Sequence, residues 1–324
     1  MPHSWGMSDV LSRRELLRSV GVAVVSGSFL DQRGQTPLIA ALNSVRPEGG
    51  AGSIWFGYAA ITWDGNDEQA IDDISSLGYR GIQLRSNAFT KYADRPAALR
   101  DLLESRKLTM VALSSGNLRV DPAVEREQLN IHTWHAAFVQ KVGGLYLQII
   151  DEKPHGRALV DADFRRLGVL LTELGKRTAD LGIPVSYHHH MNSIGEQPHA
   201  VRAIMDSADP RYVKFQLDTA HYQQGGGDPA QAVKDYADRL LFLHIKDVES
   251  PIPGAAGDPA RSYRFVELGR GKVNLKRVFD ALREVDFSGW AIIELDEVPD
   301  RARSPKESAQ INKKYVEEVL GLPI

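Results

Sequence analysis

Short apolar runs alternate with longer amphipathic segments over most of the chain. Eight runs of strand length are found, at residues 54–61, 81–85, 109–115, 144–150, 184–190, 213–218, 240–247 and 291–294. Apolar residues recur at helical spacing between them, in segments 67–77, 97–106, 124–142, 163–181, 229–238, 275–285 and 305–320. This alternation of strand and helix patterns predicts a parallel α/β fold.

Eight strands are the number that closes a (β/α)8 TIM barrel, and residues 54–324 come close to the roughly 250 residues that such a barrel needs. The other candidate is an open, doubly wound sheet. No G-x-G-x-x-G pattern follows the first run, so nothing supports a dinucleotide site there. We therefore predict one TIM-barrel catalytic domain over residues 54–324.

Residues 1–30 have a different pattern. Arg13 and Arg14 precede an apolar run without charges at residues 20–30, which is typical of a twin-arginine export signal. The run is shorter than the about 20 residues that a membrane-spanning helix requires. An amphipathic N-terminal helix would carry charges in this stretch, which has none. We predict an export signal at 1–30, a linker at 31–53, a periplasmic location and no integral membrane segment in the mature chain.

The composition narrows the chemistry. The 324 residues include no cysteine, so disulfides and thiolate metal sites are excluded, and a metal would be held by His, Asp or Glu. Charges of both signs are mixed along the chain, with a net charge of −3. Because there is no basic patch that could follow a phosphate backbone, nucleic acid is not an expected partner.

The stretch VSYHHHMNS at residues 185–193 carries three consecutive histidines at the end of the fifth run. Side chains alternate along a strand, so His188 and His190 share one face and His189 takes the other. In a TIM barrel the active site lies where the strands end, which is also where this pair lies.

The same alternation places polar side chains inside the barrel at the ends of other runs. These are Gln148, Asp218, His244, Lys246 and Glu294. A divalent ion satisfies several buried carboxylates and imidazoles at once. We therefore predict a site formed by His188, Asp218, His244 and Glu294. A mixed imidazole and carboxylate set suits Mn²⁺, Co²⁺, Fe²⁺ or Zn²⁺ better than Mg²⁺.

Five segments of the C-terminal half resemble a known family. They are YHHHMNS at 187–193, LDTAHYQQGGGDP at 217–229, YADRLLFLHIKDV at 236–248, ELGRGKVNLKRVFDAL at 267–282 and GWAIIELDE at 289–297. In order and spacing they resemble the xylose-isomerase-like, AP-endonuclease-2-type TIM barrels, and within them the inosose (2-keto-myo-inositol) dehydratases. The first run, FGYAAITWDGND, matches more loosely.

The resemblance implies one divalent metal, Mn²⁺ or Co²⁺ first and Zn²⁺ or Fe²⁺ otherwise. In this superfamily it is commonly held by Glu, Asp, His and Glu from strands five to eight. The last three correspond to Asp218, His244 and Glu294, and a histidine, His188 or His190, replaces the fifth-strand Glu. Because ketose epimerases use that Glu as an acid/base group, the replacement favours the dehydratase-like branch, in which proton abstraction is coupled to elimination.

The expected activity is proton abstraction α to the carbonyl of a keto-sugar or cyclitol through an enediolate. The acid/base candidates are His190 and His221, Glu294 could double as base, and Lys246 could hold an oxyanion. Substrate contacts are assigned to Trp63, Gln148 and Arg270. A structural role was the alternative for each of these side chains.

Three questions stay open at the level of sequence. The sequence does not choose between isomerisation, epimerisation and elimination, because all three share the same enediolate. It specifies neither the sugar nor the oligomeric state, although homo-oligomers are usual among the barrels that this chain resembles. A non-catalytic, exported carbohydrate-binding barrel is one alternative function. An endonuclease-type metallohydrolase is another, but the second and third runs end without the extra histidines that its metal cluster needs.

Overall fold

The computed structural model describes residues 53–252, 254, 258 and 261–324. Within them, eight parallel strands form a closed barrel with helices around it, so the predicted single-domain TIM barrel is confirmed. The predicted export signal at 1–30 and residues 31–52 of the predicted linker lie outside the described residues.

The barrel strands follow one another in chain order around the barrel, and the last pairs with both the seventh and the first. They are β1 (Ile54–Ala59), β2 (Gly81–Arg85), β3 (Thr109–Leu118), β4 (Tyr146–Asp151), β5 (Val185–His188), β6 (Val213–Asp218), β7 (Leu240–Ile245) and β10 (Gly289–Ile293). A small antiparallel hairpin, β8 (Asp247–Glu249) and β9 (Arg264–Val266), lies between β7 and β10 in the sequence.

The helices of the described residues alternate with these strands. They are α1 (Asp67–Ser76), α2 (Ser86–Tyr92), α3 (Pro96–Ser105), α4 (Glu125–Val142), α5 (Asp161–Ala179), α6 (Pro198–Ser207), α7 (Thr219–Gln224), α8 (Pro229–Asp235), α9 (Leu275–Glu284) and α10 (Pro305–Lys314). A 3-10 turn (Ala60–Trp63) follows β1, and a π-helical turn (Tyr315–Val319) follows α10. The sequence pattern did not predict helices α2, α6 and α7, and it did not predict the β8–β9 hairpin.

Two apolar clusters lie on opposite sides of the barrel wall. The larger is formed by strand residues such as Phe56, Tyr187 and Phe215 together with the helices. The smaller contains Tyr146, Phe242 and Trp290, which have the opposite strand parity and fill the barrel interior. Gly81 leaves room for this filling, because a Cβ there would lie 2.6 Å from the ring of Trp290.

One residue departs from the predicted alternation. Strict alternation from the inward-facing His244 would turn Leu241 toward the helices, but Leu241 packs against the interior cluster, whereas Leu240 packs against the outer one. The register between β6 and β7 shifts at this point, so that Phe215 pairs with Leu240 and Gln216 with Phe242. A bulge of this kind inserts one unpaired residue and restores the parity beyond it. His244 therefore still faces the interior.

No helix among the described residues is long and apolar enough to cross a membrane.

Candidate active site

Four ligand-type side chains converge inside the barrel at the C-terminal ends of β5, β6, β7 and β10. The Oδ2 atom of Asp218 lies 3.5 Å from Nε2 of His188 and 3.5 Å from Nδ1 of His244. The same Nδ1 atom lies 3.3 Å from Oε1 of Glu294. All four side chains are buried. The structure thus brings together the four residues that the sequence predicted as metal ligands.

Asp218 is held by the helix that it starts. Its Oδ1 atom accepts hydrogen bonds from the backbone N–H groups of Ala220 (2.9 Å) and His221 (2.8 Å), as an N-cap residue does. Its Oδ2 atom is buried without a hydrogen bond. Burial alone would raise the pKa of Asp218, but the surrounding imidazoles and Lys246 hold it well below its usual range. One ionised oxygen therefore remains for a further partner.

His244 has its tautomer fixed by a neighbour. The Oε1 atom of Gln83 lies 2.8 Å from Nε2 of His244, and an amide oxygen only accepts, so Nε2 carries the proton. Gln83 is itself held by Gln148, whose Oε1 atom accepts its amide N–H at 2.5 Å. Nδ1 is thereby left facing Asp218 and Glu294, without a hydrogen bond of its own.

His188 is a neutral imidazole with no hydrogen bond at either nitrogen. Burial lowers its pKa to about 4, so at neutral pH it has a lone pair to offer. His189 points the other way, as predicted: its ring packs against Phe215, and its Nε2 accepts the backbone N–H of Asp218 at 3.3 Å. The fifth strand therefore supplies His188 to the cluster and uses His189 to hold the chain at Asp218.

The donor set fits a divalent cation. Buried polar atoms without partners are rare in folded proteins, yet His188, Asp218 and His244 each place one at this point. Burial lowers the pKa of His244, but Glu294 and Asp218 outweigh it and raise the pKa to about 9, so the cluster attracts positive charge. Without an ion His244 is therefore protonated, and a bound cation would take the place of that proton. Two imidazole nitrogens and two carboxylates are ligands that Mn²⁺, Co²⁺, Fe²⁺ and Zn²⁺ accept.

His221 could also be counted among the ligands, because its Nε2 lies 4.0 Å from Oδ2 of Asp218. However, its Nδ1 accepts the backbone N–H of Met191 at 3.2 Å, which is a shorter contact than the 3.4 Å between its Nε2 and Nζ of Lys246. A neutral imidazole with an accepting Nδ1 carries its proton on Nε2, and Nε2 then has no lone pair for a metal. His221 therefore presents an N–H group to the site, and His188 is the better fourth ligand.

His190 has the opposite tautomer. Its Nδ1 lies 2.7 Å from the carbonyl oxygen of Met191, which accepts, so Nδ1 carries the proton and Nε2 holds the lone pair. The rings of His190 and His221 lie with their centroids 3.7 Å apart. One of these predicted acid/base residues thus presents an acceptor and the other a donor.

Lys246 is a buried cation between carboxylates. Its Nζ lies 2.9 Å from Oε1 of Glu294 and also pairs with Asp296. Burial would lower the pKa of Lys246, but Asp296, Glu294 and Asp218 raise it above its usual value, and the ammonium stays charged. Its main chain is tied to Thr219, whose hydroxyl donates to the carbonyl oxygen of Lys246 at 2.6 Å. Lys246 therefore brings a fixed positive charge next to the cluster.

The three predicted substrate contacts need correction. The indole of Trp63 donates to Oδ2 of Asp73 (2.9 Å) and packs edge-on against Tyr58 in the helix-facing core. Gln148 faces inward as predicted, but its amide is engaged by Gln83 and, at 3.4 Å, by Ser114. The one N–H group of Trp63 is thus used within the protein, and the amide of Gln148 is oriented by its two neighbours.

The guanidinium group of Arg270 pairs with a buried carboxylate. Its Nη1 lies 3.3 Å from Oε2 of Glu267, which is 1% exposed. Asp247, whose oxygens accept the N–H groups of Gly269 (3.0 Å) and Gly271 (2.9 Å), fixes the loop in this shape. Arg270 thus shares Glu267 with Arg303, and the structure shows it in this ion pair.

Three residues at the site were missed. Gln83 orients His244, Asp296 pairs with Lys246, and the ring of Phe265 covers Lys246, whose Nζ is 3.9 Å from its centroid. Alternation along a strand could have placed two of them at the site, because residues two apart share a face. Gln83 shares its face with Arg85 at the end of β2, and Asp296 shares its face with Glu294. Phe265 belongs to the hairpin, which had no clear sequence signal.

Known proteins can now be compared with this fold and geometry. A family model described as xylose isomerase-like TIM barrel matches residues 71–315. The chain belongs to this family. Among its curated relatives is an inosose dehydratase of Lacticaseibacillus casei, which is 28% identical over 84% of this chain and 99% of the relative. An inosose dehydratase of Bacillus velezensis is 27% identical, over 84% of this chain and 98% of its own length.

Solved structures share the fold at lower identity. The crystal structure of the IOLI protein with a zinc atom has a TM-score of 0.70 at 18% identity, covering 82% of this chain and 98% of that one. A D-tagatose 3-epimerase-like protein has a TM-score of 0.64 at 15% identity, over 82% of this chain and 98% of that protein. At these identities the likeness establishes the barrel architecture.

Proposed function

We propose that this chain is a divalent-metal-dependent enzyme that removes a proton next to the carbonyl of a keto-sugar or keto-cyclitol and expels a hydroxyl group as water. The observation that carries the proposal is the meeting of His188, Asp218, His244 and Glu294, three of which offer a buried atom without a hydrogen bond. The inosose dehydratases among the relatives support the same class of reaction.

The ligands of the ion are Nε2 of His188, Oδ2 of Asp218, Nδ1 of His244 and a carboxylate oxygen of Glu294. Mn²⁺, Co²⁺, Zn²⁺ and Fe²⁺ all fit this mixed set, and the family resemblance puts Mn²⁺ and Co²⁺ first. A divalent ion held there would supply Lewis-acid chemistry to the substrate carbonyl.

One histidine transfers the proton, and the histidine facing it stabilises the leaving oxygen. The C–H bond next to the carbonyl breaks, and its proton goes to Nε2 of His190, which becomes an imidazolium. The C–O bond of the neighbouring hydroxyl then breaks as that oxygen takes this proton from His190 and leaves as water, while the Nε2–H group of His221 donates a hydrogen bond to it. The charged ammonium of Lys246 stabilises the negative charge that develops on the substrate oxygen.

Elimination is proposed over isomerisation because curated relatives of this chain are inosose dehydratases. Loss of a hydroxyl group also requires a proton and a hydrogen-bond donor at the leaving oxygen. The His190 imidazolium would supply the proton, and the N–H group of His221 the hydrogen bond. If the enzyme instead returns the proton to carbon, the product has the mass of the substrate, and the two outcomes are separated by mass spectrometry.

The metal content of the protein is the first test. We expect about one divalent ion per chain after loading with Mn²⁺ or Co²⁺. Asp218→Ala and Glu294→Ala should each lose the ion, whereas Asp280→Ala, which changes an exposed carboxylate on α9, should keep it. A wild-type protein that binds no ion would leave a non-catalytic carbohydrate-binding barrel as the better function.

The reaction itself is tested with keto-sugars and keto-cyclitols in D₂O. Wild type should incorporate deuterium or release water from at least one of them, and His190→Gln should abolish both. His221→Gln should lower water release by about 10-fold and retain most of the deuterium exchange, because it displaces the N–H group at the leaving oxygen but not the base. Equal loss of both activities in His221→Gln would contradict the division of roles.

A further inference from the structure

The hairpin after β7 returns across the candidate active site. We call its returning part, residues 261–266, the arm. Phe265 of the arm lies edge-on to His221 at 4.8 Å between ring centroids, and the Nζ of Lys246 lies 3.9 Å from the centre of its ring. Tyr263 supports Phe265 from behind, with 5.7 Å between the centroids.

Phe265 completes the surroundings of Lys246. Glu294 and Asp296 contact the ammonium group, and the aromatic ring covers it from the arm. Lys246 is 0% exposed although Phe265 itself is only half-buried. A cation over an aromatic face is attracted to it, more strongly when both are shielded from water. The ring also limits the positions open to the flexible lysine side chain.

A polar clasp ties the arm to two other loops. Nη1 of Arg261 contacts Oε1 of Glu196 at 2.8 Å and Oδ1 of Asn192 at 3.1 Å. Oε2 of Glu196 accepts from Nζ of Lys153 at 2.8 Å, which brings in the loop after β4. The side-chain amide of Asn192 donates to the hydroxyl of Tyr263 at 3.2 Å. The arm is thus attached to the neighbouring loops at Arg261 and at Tyr263.

We propose that Phe265 is a positioning residue that holds Lys246 in place for the reaction, and that the clasp of Arg261, Glu196 and Asn192 holds Phe265 there. The inference rests on the proposed function, because Lys246 must act on the substrate for its position to matter. It assigns a function to a hairpin that the sequence pattern did not predict.

The kinetic test compares variants that keep or remove the ring. Phe265→Leu should lower kcat about 10-fold and leave KM within about twofold, because the charge of Lys246 acts on the transition state. Phe265→Tyr retains the aromatic face and should recover kcat to within about twofold of wild type. A Leu variant as fast as wild type, or a Tyr variant as slow as the Leu variant, would overturn the role of the ring.

A second test does not require activity. Deuterium labelling of the Lys246 ammonium group should be slow in wild type and several-fold faster in Phe265→Ala and Arg261→Ala, as read by NMR of protein with 15N-labelled lysine. Arg264→Ala is the matched control, since Arg264 belongs to the arm but pairs with Glu249 of the same hairpin. The exposed Lys276 serves as the reference for unprotected exchange.

The two tests separate the possible failures. If wild type turns over no keto-substrate, the proposed function fails, and the labelling still decides whether the arm shields Lys246. Lys246 that is labelled equally in wild type, Phe265→Ala and Arg261→Ala would refute the arm proposal even in an active enzyme.

Discussion

At the scale of single residues, the orientation of His244 depends on one amide. Gln83→Leu removes the acceptor of the Nε2–H group and leaves that group buried without a partner. Because such neighbours hold a ligating histidine in place, we expect Mn²⁺ affinity to fall about 10- to 100-fold. Calorimetry measures this, with Gln140→Leu, an exposed glutamine of α4, as the control. Unchanged affinity would mean that His244 does not bind through Nδ1.

The sequence predicted side chains on strands better than side chains in loops. Asp218, His244 and Glu294 could be placed because alternation along a strand leaves only two faces. The choice between His188 and His190 required knowledge of where β5 ends. Trp63 and Arg270 could not be placed, because the directions of their side chains depend on contacts with Asp73 and Glu267. Both of these carboxylates are buried by the fold.

At the scale of elements, α4 is joined to β3 by a buried polar network. Nε2 of His132 donates to the carbonyl oxygen of Asn117 (3.2 Å), so its Nδ1 accepts from the hydroxyl of Ser115 at 2.6 Å. The hydroxyl group has then donated its one proton, so Nδ1 of His135 donates to the hydroxyl oxygen at 2.7 Å. Both histidines are buried.

This network predicts a pH dependence of stability. Burial lowers the pKa of His132 and of His135 to about 4, against about 6.5 in an unfolded chain. The unfolded chain therefore binds more protons, and the stability is complete above about pH 6.5 and falls as the pH drops toward 4. His135→Gln should reduce the slope of unfolding free energy against pH by up to about 1.4 kcal/mol per pH unit.

Urea unfolding at several pH values between 4.5 and 7 checks this expectation. His199→Gln, which changes an exposed histidine, is the control and should leave the slope as it is in wild type. A slope that does not change in His135→Gln would mean that His135 is not neutral in the folded protein.

Elements were predictable where their pattern is periodic, and less so where their shape depends on a single buried group. The eight strands follow from apolar runs. The loop around Arg270 takes its course from Asp247, whose carboxylate accepts four backbone N–H groups, among them those of Val248 (2.8 Å) and Val273 (3.0 Å). Nothing in the sequence distinguishes this aspartate from an exposed one, so the loop and the hairpin beside it were beyond prediction.

At the scale of the whole molecule, the site exists only after the barrel has closed. His188 and Glu294 are separated by much of the C-terminal half of the chain, and the barrel closes only when β10 pairs with β1. An ion can therefore be bound by all four ligands only in the folded chain. We propose that the protein is exported after folding, since Arg13, Arg14 and the apolar run behind them have the pattern of a twin-arginine signal.

Export of this kind makes a prediction that joins location and metal. In a bacterial host that has the twin-arginine route, the wild-type chain should be found in the periplasmic fraction with its ion already bound. The double variant Arg13→Lys/Arg14→Lys should stay in the cytoplasm and be equally loaded there, because the substitutions leave the barrel unchanged. Fractionation and elemental analysis of both proteins provide the measurement. Periplasmic accumulation of the double variant would contradict the proposed route, whereas a periplasmic wild type without metal would contradict loading before export.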